Sequence, residues 1–322
     1  MTETLETQLP QYMRGNCHLL LPENAPIAEW RKVRRGGLGA SDMSTILGLN
    51  PWGDLHGLWL DKTRGVEQEP HDRMLLGHAL EPFIRDKFVR DMGIDVELCG
   101  ILQSDAKSFI RYTPDGLTSD GGLFEAKSTA WWNAHHWDDG QVADHAEIQV
   151  QCGMYVTGAP HAWVAALIDG RPENFEVRKV MRDEKFIEAM IDAAELFWNT
   201  YILGDVEPPL TAASLDWAKE HWTPKPSKPV DIGDEGLSLF KRMQAAKEAV
   251  KAASTIADEC EAQLRALVQD GSDVKVGDRK LGSFKTVHQR RVNRDLMKKD
   301  GVDPEKYMKE TTFSRFFWKR GI

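Results

Sequence analysis

The residues with the densest chemical potential lie between positions 112 and 127. Tyr112-Thr113-Pro114-Asp115-Gly116 is followed by Leu123-Phe124-Glu125-Ala126-Lys127. Side chains at i and i+2 of a strand share a face. Glu125 and Lys127 therefore point one way, and Phe124 and Ala126 the other. Asp115 stands in a Pro-Asp-Gly turn at the end of the preceding strand, so two neighbouring strands can bring it beside Glu125. Two carboxylates and one ammonium then converge. Such a set suits Mg²⁺, which takes oxygen ligands, keeps several waters and needs only one or two carboxylates. The main-chain carbonyl of Ala126 would be a further donor. The ion would polarise a phosphodiester and lower the pKa of an attacking water. Lys127 would orient that water or stabilise charge in the transition state. A lone E-x-K on an alternating strand is usually a solvated face; the Pro-Asp-Gly ten residues upstream favours chemistry.

Trp131-Trp132-Asn133-Ala134-His135-His136-Trp137 follows directly. Aromatics beside a nucleic-acid site stack on bases or wedge them apart; packing into the core or against a subunit is the competing role. His135, His136 and His145 have no second ligand cluster to support zinc. Cys17, Cys99, Cys152 and Cys260 are scattered, so neither a CxxC zinc site nor an iron–sulfur cluster is expected. Scattered cysteines fit a reducing compartment.

The elements that must position these groups are mixed. Helices are predicted over 40–47, 55–64, 72–92, 146–157 and 183–203. Strands are predicted over 94–102, 108–113, 122–128, 161–168 and 174–180. Thr223-Pro224-Lys225-Pro226-Ser227-Lys228-Pro229 reads as an extended linker. The expected organisation is therefore a catalytic domain over 1–222, a linker over 223–235, and a helical extension with a basic tail over 236–322. In the extension, Met243, Ala246, Val250, Ala253, Ala257, Cys260, Leu264 and Leu267 recur at spacings of 3 and 4, a heptad seam. A packed hairpin within the chain and an intermolecular coiled coil both satisfy it. A strand or two is expected around Gly277-Asp278. Phe284 to Val292 and Thr311 to Arg320 interleave basic and aromatic residues, which suits nucleic acid or anchors the tail to the body.

The 322 residues are 41% hydrophobic and 28% charged, as in a globular protein with a real core. The longest apolar stretch, within Ala162 to Ile168, is far short of the ~20 residues of a membrane span. Residues 1–9 lack a signal-peptide pattern, so a cytoplasmic location without membrane partners is expected. The net charge of −9 hides a split. Residues 273–322 hold 14 Lys and Arg against 7 Asp and Glu, a balance of +7, whereas residues 1–272 carry −16. A basic tail suggests an anionic partner.

Five motifs in order resemble one family. Pro114-Asp115 with Glu125-Ala126-Lys127 is the PD-(D/E)XK nuclease pattern. The wider set resembles the YqaJ-like viral recombinases, relatives of phage lambda exonuclease. It comprises Arg34-Arg35-Gly36-Gly37-Leu38-Gly39-Ala40-Ser41-Asp42, Asn50-Pro51-Trp52 with Leu58-Trp59-Leu60, Gly77-His78-Ala79-Leu80-Glu81-Pro82, and Gln149-Val150-Gln151 with Met154 to Gly158. The resemblance covers about residues 28–205. It implies an α/β fold with a restriction-endonuclease-like core, a mixed central sheet flanked by helices. It implies Asp115, Glu125, Ala126 and Glu81 around Mg²⁺ (or Mn²⁺), Lys127 as catalytic lysine and Gln151 in support. It implies Arg34, Ser41 and Thr113 at a 5′ phosphate, with Trp131 and Trp132 on the DNA. Asn133 stands where the family's phosphate-binding arginine is expected, a departure that weakens the phosphate pocket. The implied activity is 5′→3′ digestion of double-stranded DNA ends in a bacterial host, encoded by a phage or prophage. The product would feed a phage single-strand annealing protein, and the enzyme would be a homo-oligomer, a trimeric ring by resemblance. An endonuclease of the same fold, a CRISPR-adaptation-like nuclease and a non-catalytic DNA-binding protein are the alternatives.

Overall fold

The structure is a computed structural model and describes residues 10–12, 15–66, 72–222, 229–269 and 273–283, with the single positions 297, 301 and 303. The chain divides into two compact units, Met1–Ala218 and Lys219–Ile322.

The first unit holds two sheets. One has four strands in the order β1 (Cys17–Leu21), β4 (Ile101–Ser104), β5 (Ile110–Tyr112) and β2 (Leu38–Gly39). The other has five: β3 (Val96–Glu97), β6 (Gly116–Thr118), β7 (Leu123–Thr129), β8 (His161–Ile168) and β9 (Phe175–Met181). β6 and β7 form an antiparallel hairpin, β7 and β8 run parallel, and β8 and β9 are antiparallel. The parallel pair needs a crossover, and α5 (Asp144–Thr157) supplies it. The remaining helices are α1 (Ile27–Arg35), α2 (Met43–Ile46), α3 (Leu55–Arg64), α4 (Asp72–Met92), α6 (Glu184–Phe197) and α7 (Leu215–His221).

Strand alternation divides the core. Phe124 and Ala126 of β7 face Ile84 and Phe88 of α4, with Ala165 and Leu167 of β8 completing that layer. Leu123 lies in the larger core with Tyr112, Val164, Met154 and the α6 residues Ile187 and Met190. Gly153 lets α5 approach β5, because a Cβ there would stand 2.5 Å from Tyr112 Cζ. This is the expected mixed sheet flanked by helices.

One expected strand, 94–102, is two strands in two sheets: β3 beside β6, and β4 between β1 and β5. Gly100 lies between the two strands, where a Cβ would meet the Leu21 carbonyl at 1.8 Å. The expected helix 183–203 is α-helical only to Phe197 and continues as a π-helical turn to Leu203. In the second unit, α8 spans Gly233–Val268 and is followed by the hairpin β10 (Asp273–Val276) and β11 (Arg279–Ser283) around Gly277. Residues 223–228, most of the Pro-rich segment, and the basic–aromatic stretches 284–292 and 311–320 lie outside the described residues. Among the described residues no helix is long and apolar enough to cross a membrane.

Candidate active site

The β6–β7 hairpin carries the centre of the site. Asp115 stands immediately before β6, and its Oδ2 accepts a hydrogen bond from the Ala126 N–H at 2.8 Å. That bond ties the Pro-Asp-Gly turn to the middle of β7. Glu125 is almost wholly buried, at 1% exposure, rather than on a solvated face. Lys127 Nζ donates to Glu125 Oε1 at 2.5 Å and to Gln149 Oε1 at 2.9 Å. Glu125 Oε2 is buried and has no hydrogen-bond partner among the described residues. Burying an ionised carboxylate with an unsatisfied oxygen is costly unless something else comes to it.

Electrostatics express that cost. Burial, reinforced by the Asp115 charge, pushes the Glu125 carboxyl up to about 8 against the pull of Lys127. Burial likewise raises Asp115, opposed by Lys127 and the Ala126 N–H. Burial works against a charged Lys127, yet the carboxylates of Glu125, Asp115 and Glu81 hold it above the ordinary lysine range. Glu81 enters from α4; burial and Asp115 raise its carboxyl. One turn earlier, His78 Nδ1 lies 2.9 Å from Glu81 Oε1. Pro82 follows Glu81 inside the helix, where its missing N–H leaves the His78 carbonyl without its helical partner.

The donor set fits a hard divalent cation. Its oxygens are carboxylates, one of them buried and unpartnered, and Mg²⁺ requires only one or two such ligands beside water. No three His, Cys, Asp or Glu side chains among the described residues form a ready metal cage. The counter-charge within the cluster comes instead from Lys127.

Gln151 is not brought to this cluster. Its Nε2 donates to the Met181 carbonyl at 2.8 Å and its Oε1 accepts from the Asp183 N–H at 3.0 Å. It thus joins the end of β9 to the start of α6. Residues two apart on a helix do not face the same way, so α5 presents Gln149 to Lys127 and Gln151 elsewhere. The resemblance implied Gln151 in support; the helical phase turns Gln149, not Gln151, toward Lys127. His78 is the other neighbour that spacing alone did not single out; an i, i+3 relation to Glu81 is its signal. His145, on the first turn of α5, is held neutral, down to about 4, by burial, Lys127 and His136. Its ring meets the exposed Trp52 edge-on at 6.0 Å.

Arg34 and Ser41 are brought together: the Arg34 guanidinium donates to Ser41 Oγ at 3.1 Å. Asp42 anchors the same turn. It accepts from the Gly39 N–H at 2.8 Å, lies 3.6 Å from Arg34 and pairs with the buried Lys62 at 2.7 Å. Burial opposes its charge, but Lys62 and Arg34 hold the carboxyl below its usual range. Asp42 therefore takes the capping role, and Ser41 keeps an exposed hydroxyl. The turn packs against α5, the helix that carries Gln149. Thr113 is half-buried on the connection leading to Asp115. Trp131 and Trp132 are 66% and 50% exposed on the 3₁₀ segment Trp131–Gly140, their rings 5.9 Å apart and nearly perpendicular. Trp137, by contrast, is in the core.

Residues 29–160 match the YqaJ-like viral recombinase domain. The chain is 29% identical over 298 residues to the uncharacterized protein YqaJ of Bacillus subtilis (strain 168), spanning 89% of this chain and 92% of that protein. Similar solved structures include an alkaline exonuclease from Laribacter hongkongensis, alone and in complex with dAMP. These share 21% and 20% identity, cover 55% of this chain and 93% of that one, and give TM-scores of 0.47 and 0.48. A phage-related exonuclease from Haemophilus somnus 129PT shares 13% identity over 55% of this chain and 99% of its own, with a TM-score of 0.38. The segment that matches the YqaJ-like viral recombinase domain contains Arg34, Ser41, Glu81, Asp115, Glu125, Lys127 and Gln149.

Proposed function

We propose that the protein is a Mg²⁺-dependent exonuclease that digests the 5′-ended strand of duplex DNA and leaves a 3′ single strand. The observation that carries this reading is the buried Glu125, one oxygen bound by Lys127 and the other unpartnered, beside a braced Asp115. Asp115, Glu125 and the Ala126 carbonyl would hold the ion, with Glu81 at its edge. Mg²⁺ supplies polarisation of the phosphodiester and a more acidic water. Lys127, fixed between Glu125 and Gln149, aims its ammonium at the attacking water or at the charge that develops on phosphorus. Asp115 keeps its orientation through the Ala126 N–H.

Arg34, Ser41 and Thr113 would receive the terminal phosphate, and Trp131 and Trp132 would stack on bases. A phage single-strand annealing protein would take up the 3′ strand, and a trimeric ring of copies would keep the enzyme on its duplex. The similarity of residues 29–160 to a viral recombinase domain supports this direction.

End-labelled linear duplex tests it. Wild type degrades it only with Mg²⁺ or Mn²⁺, and Asp115→Ala and Lys127→Ala lose at least about a thousandfold in rate, the scale of losing a principal transition-state stabiliser. Equal rates for these variants would remove the site assignment. Cutting of closed circular DNA would favour the endonuclease alternative, and binding without cleavage a non-catalytic one.

A further inference from the structure

α8 is about 54 Å long at ~1.5 Å per residue. Every residue from Ala245 to Leu267 is exposed among the described residues, on all sides of the helix. Its seam runs through Met243, Ala246, Val250, Ala253, Ala257, Cys260, Leu264 and Leu267. Val250, Leu264 and Leu267 are 71%, 55% and 82% exposed. A heptad seam of this kind is completed by a second helix. The flanking charges say which one.

In a parallel, in-register pair, Arg242 on one helix falls beside Lys247 of the second copy, and this like-charge contact occurs twice. In an antiparallel pair centred near Thr255, the seam residues meet as Met243 with Leu267, Ala246 with Leu264, Val250 with Cys260 and Ala253 with Ala257. The flanking position of Lys247 then falls opposite Glu261 of the second copy, and the opposite-charge contact occurs twice. More widely, residues 241–251 hold Lys241, Arg242, Lys247 and Lys251 against Glu248. Residues 258–265 hold Asp258, Glu259 and Glu261 against Arg265. Only the antiparallel arrangement sets the basic half of one helix on the acidic half of the other. Charges beside a coiled-coil seam choose partner and orientation in this way. Glu261 is also held by Arg265 within its own helix at 2.5 Å, which keeps its carboxylate on that part of the surface.

We infer that the α8 seam is a self-association surface that joins two copies of this chain as an antiparallel helix pair. This is independent of whether the first unit cleaves DNA.

Sedimentation of the full chain tests it. Wild type runs at an even multiple of the 36.4 kDa chain mass, six copies where the proposed trimeric rings pair through α8 and two copies where no ring forms. Lys247→Glu and Glu261→Lys each replace two attractions by two repulsions and weaken the dimer roughly tenfold or more, whereas the Lys247→Glu/Glu261→Lys double variant recovers it. Oxidation gives the orientation. An antiparallel pair keeps the two Cys260 thiols apart, so wild type forms no disulfide between copies, whereas Val250→Cys brings a thiol opposite Cys260 and cross-links. A monomer at tens of micromolar, which would mean that the seam is covered within one chain, would overturn the inference. So would an oligomer indifferent to the charge swaps, or a Cys260–Cys260 disulfide in wild type.

Discussion

The two units place their chemistry in opposite ways. In the first, charge is buried: Glu125 is enclosed beside the half-buried Asp115 and Lys127, where an uncompensated carboxylate is expensive. In the second, apolar surface is exposed along a helix of 36 residues. Each is unfavourable for a chain folding by itself. A buried, under-partnered carboxylate points to a ligand that arrives after folding, and an uncovered heptad seam points to another helix. The contrast separates a site built for chemistry from a surface built for contact.

Removing the buried charge should have the largest effect on stability. The folded Glu125 carboxyl sits at about 8, well above its ordinary value of 4.5. Between those pH values the folded state binds more protons than the unfolded one, so stability falls as pH rises through the window. With EDTA present, wild type should lose on the order of a few kcal/mol between pH 5 and 8 from this group. Glu125→Gln should lack that part of the slope. Parallel slopes in urea melts of the two proteins would show that Glu125 carries no such penalty.

The two glutamines of α5 come next. Gln149→Ala should lower the rate of DNA digestion about ten- to hundredfold, through a mispositioned Lys127, with little change in melting temperature. Gln151→Ala strands the Met181 carbonyl and the Asp183 N–H, and should cost roughly 1–3 kcal/mol of stability while the folded fraction keeps its rate. The reverse pattern would return Gln151 to the site.

Exposed aromatics should behave differently from both. Trp131→Ala or Trp132→Ala should weaken binding to single-stranded DNA by roughly 1–3 kcal/mol per stacked base and leave the melting temperature unchanged. Fluorescence titration of each variant measures it, and unaltered affinity would make the pair a contact for protein instead. The smallest effect concerns the second unit's charge. Removing residues 273–322, which carry +7, should flatten the dependence of DNA affinity on salt. An unchanged slope would exclude the tail from the DNA path.

Much of this fold could be read where local signals are strong. Helix α3 runs from Leu55 to Arg64 as expected because Asp54 caps its start, accepting from the Gly57 N–H, and Gly65 closes it. Strand β8 is a continuous apolar run buried on both sides, and its ends are where the sequence placed them. β1, β2 and β6 are short, and pairing rather than periodicity defines them. The split of 94–102 into two sheets depends on the close passage of Gly100 over Leu21, a contact between distant segments. At the site, the i, i+2 rule foresaw that Glu125 and Lys127 share a face. It did not foresee that Glu125 would be buried, nor that Gln149 rather than Gln151 would meet Lys127. Both depend on how α5 lies across β7, which no local pattern encodes.

Strand-resolved digestion of linear duplex with 5′ phosphate or 5′ hydroxyl ends reads out activity, polarity and end preference together. A 5′→3′ exonuclease built on this site gives metal-dependent release from the 5′-ended strand, faster from phosphorylated ends, leaving an intact 3′ strand, and none of it in Lys127→Ala. Release from the 3′ end, or equal digestion by Lys127→Ala, would contradict it.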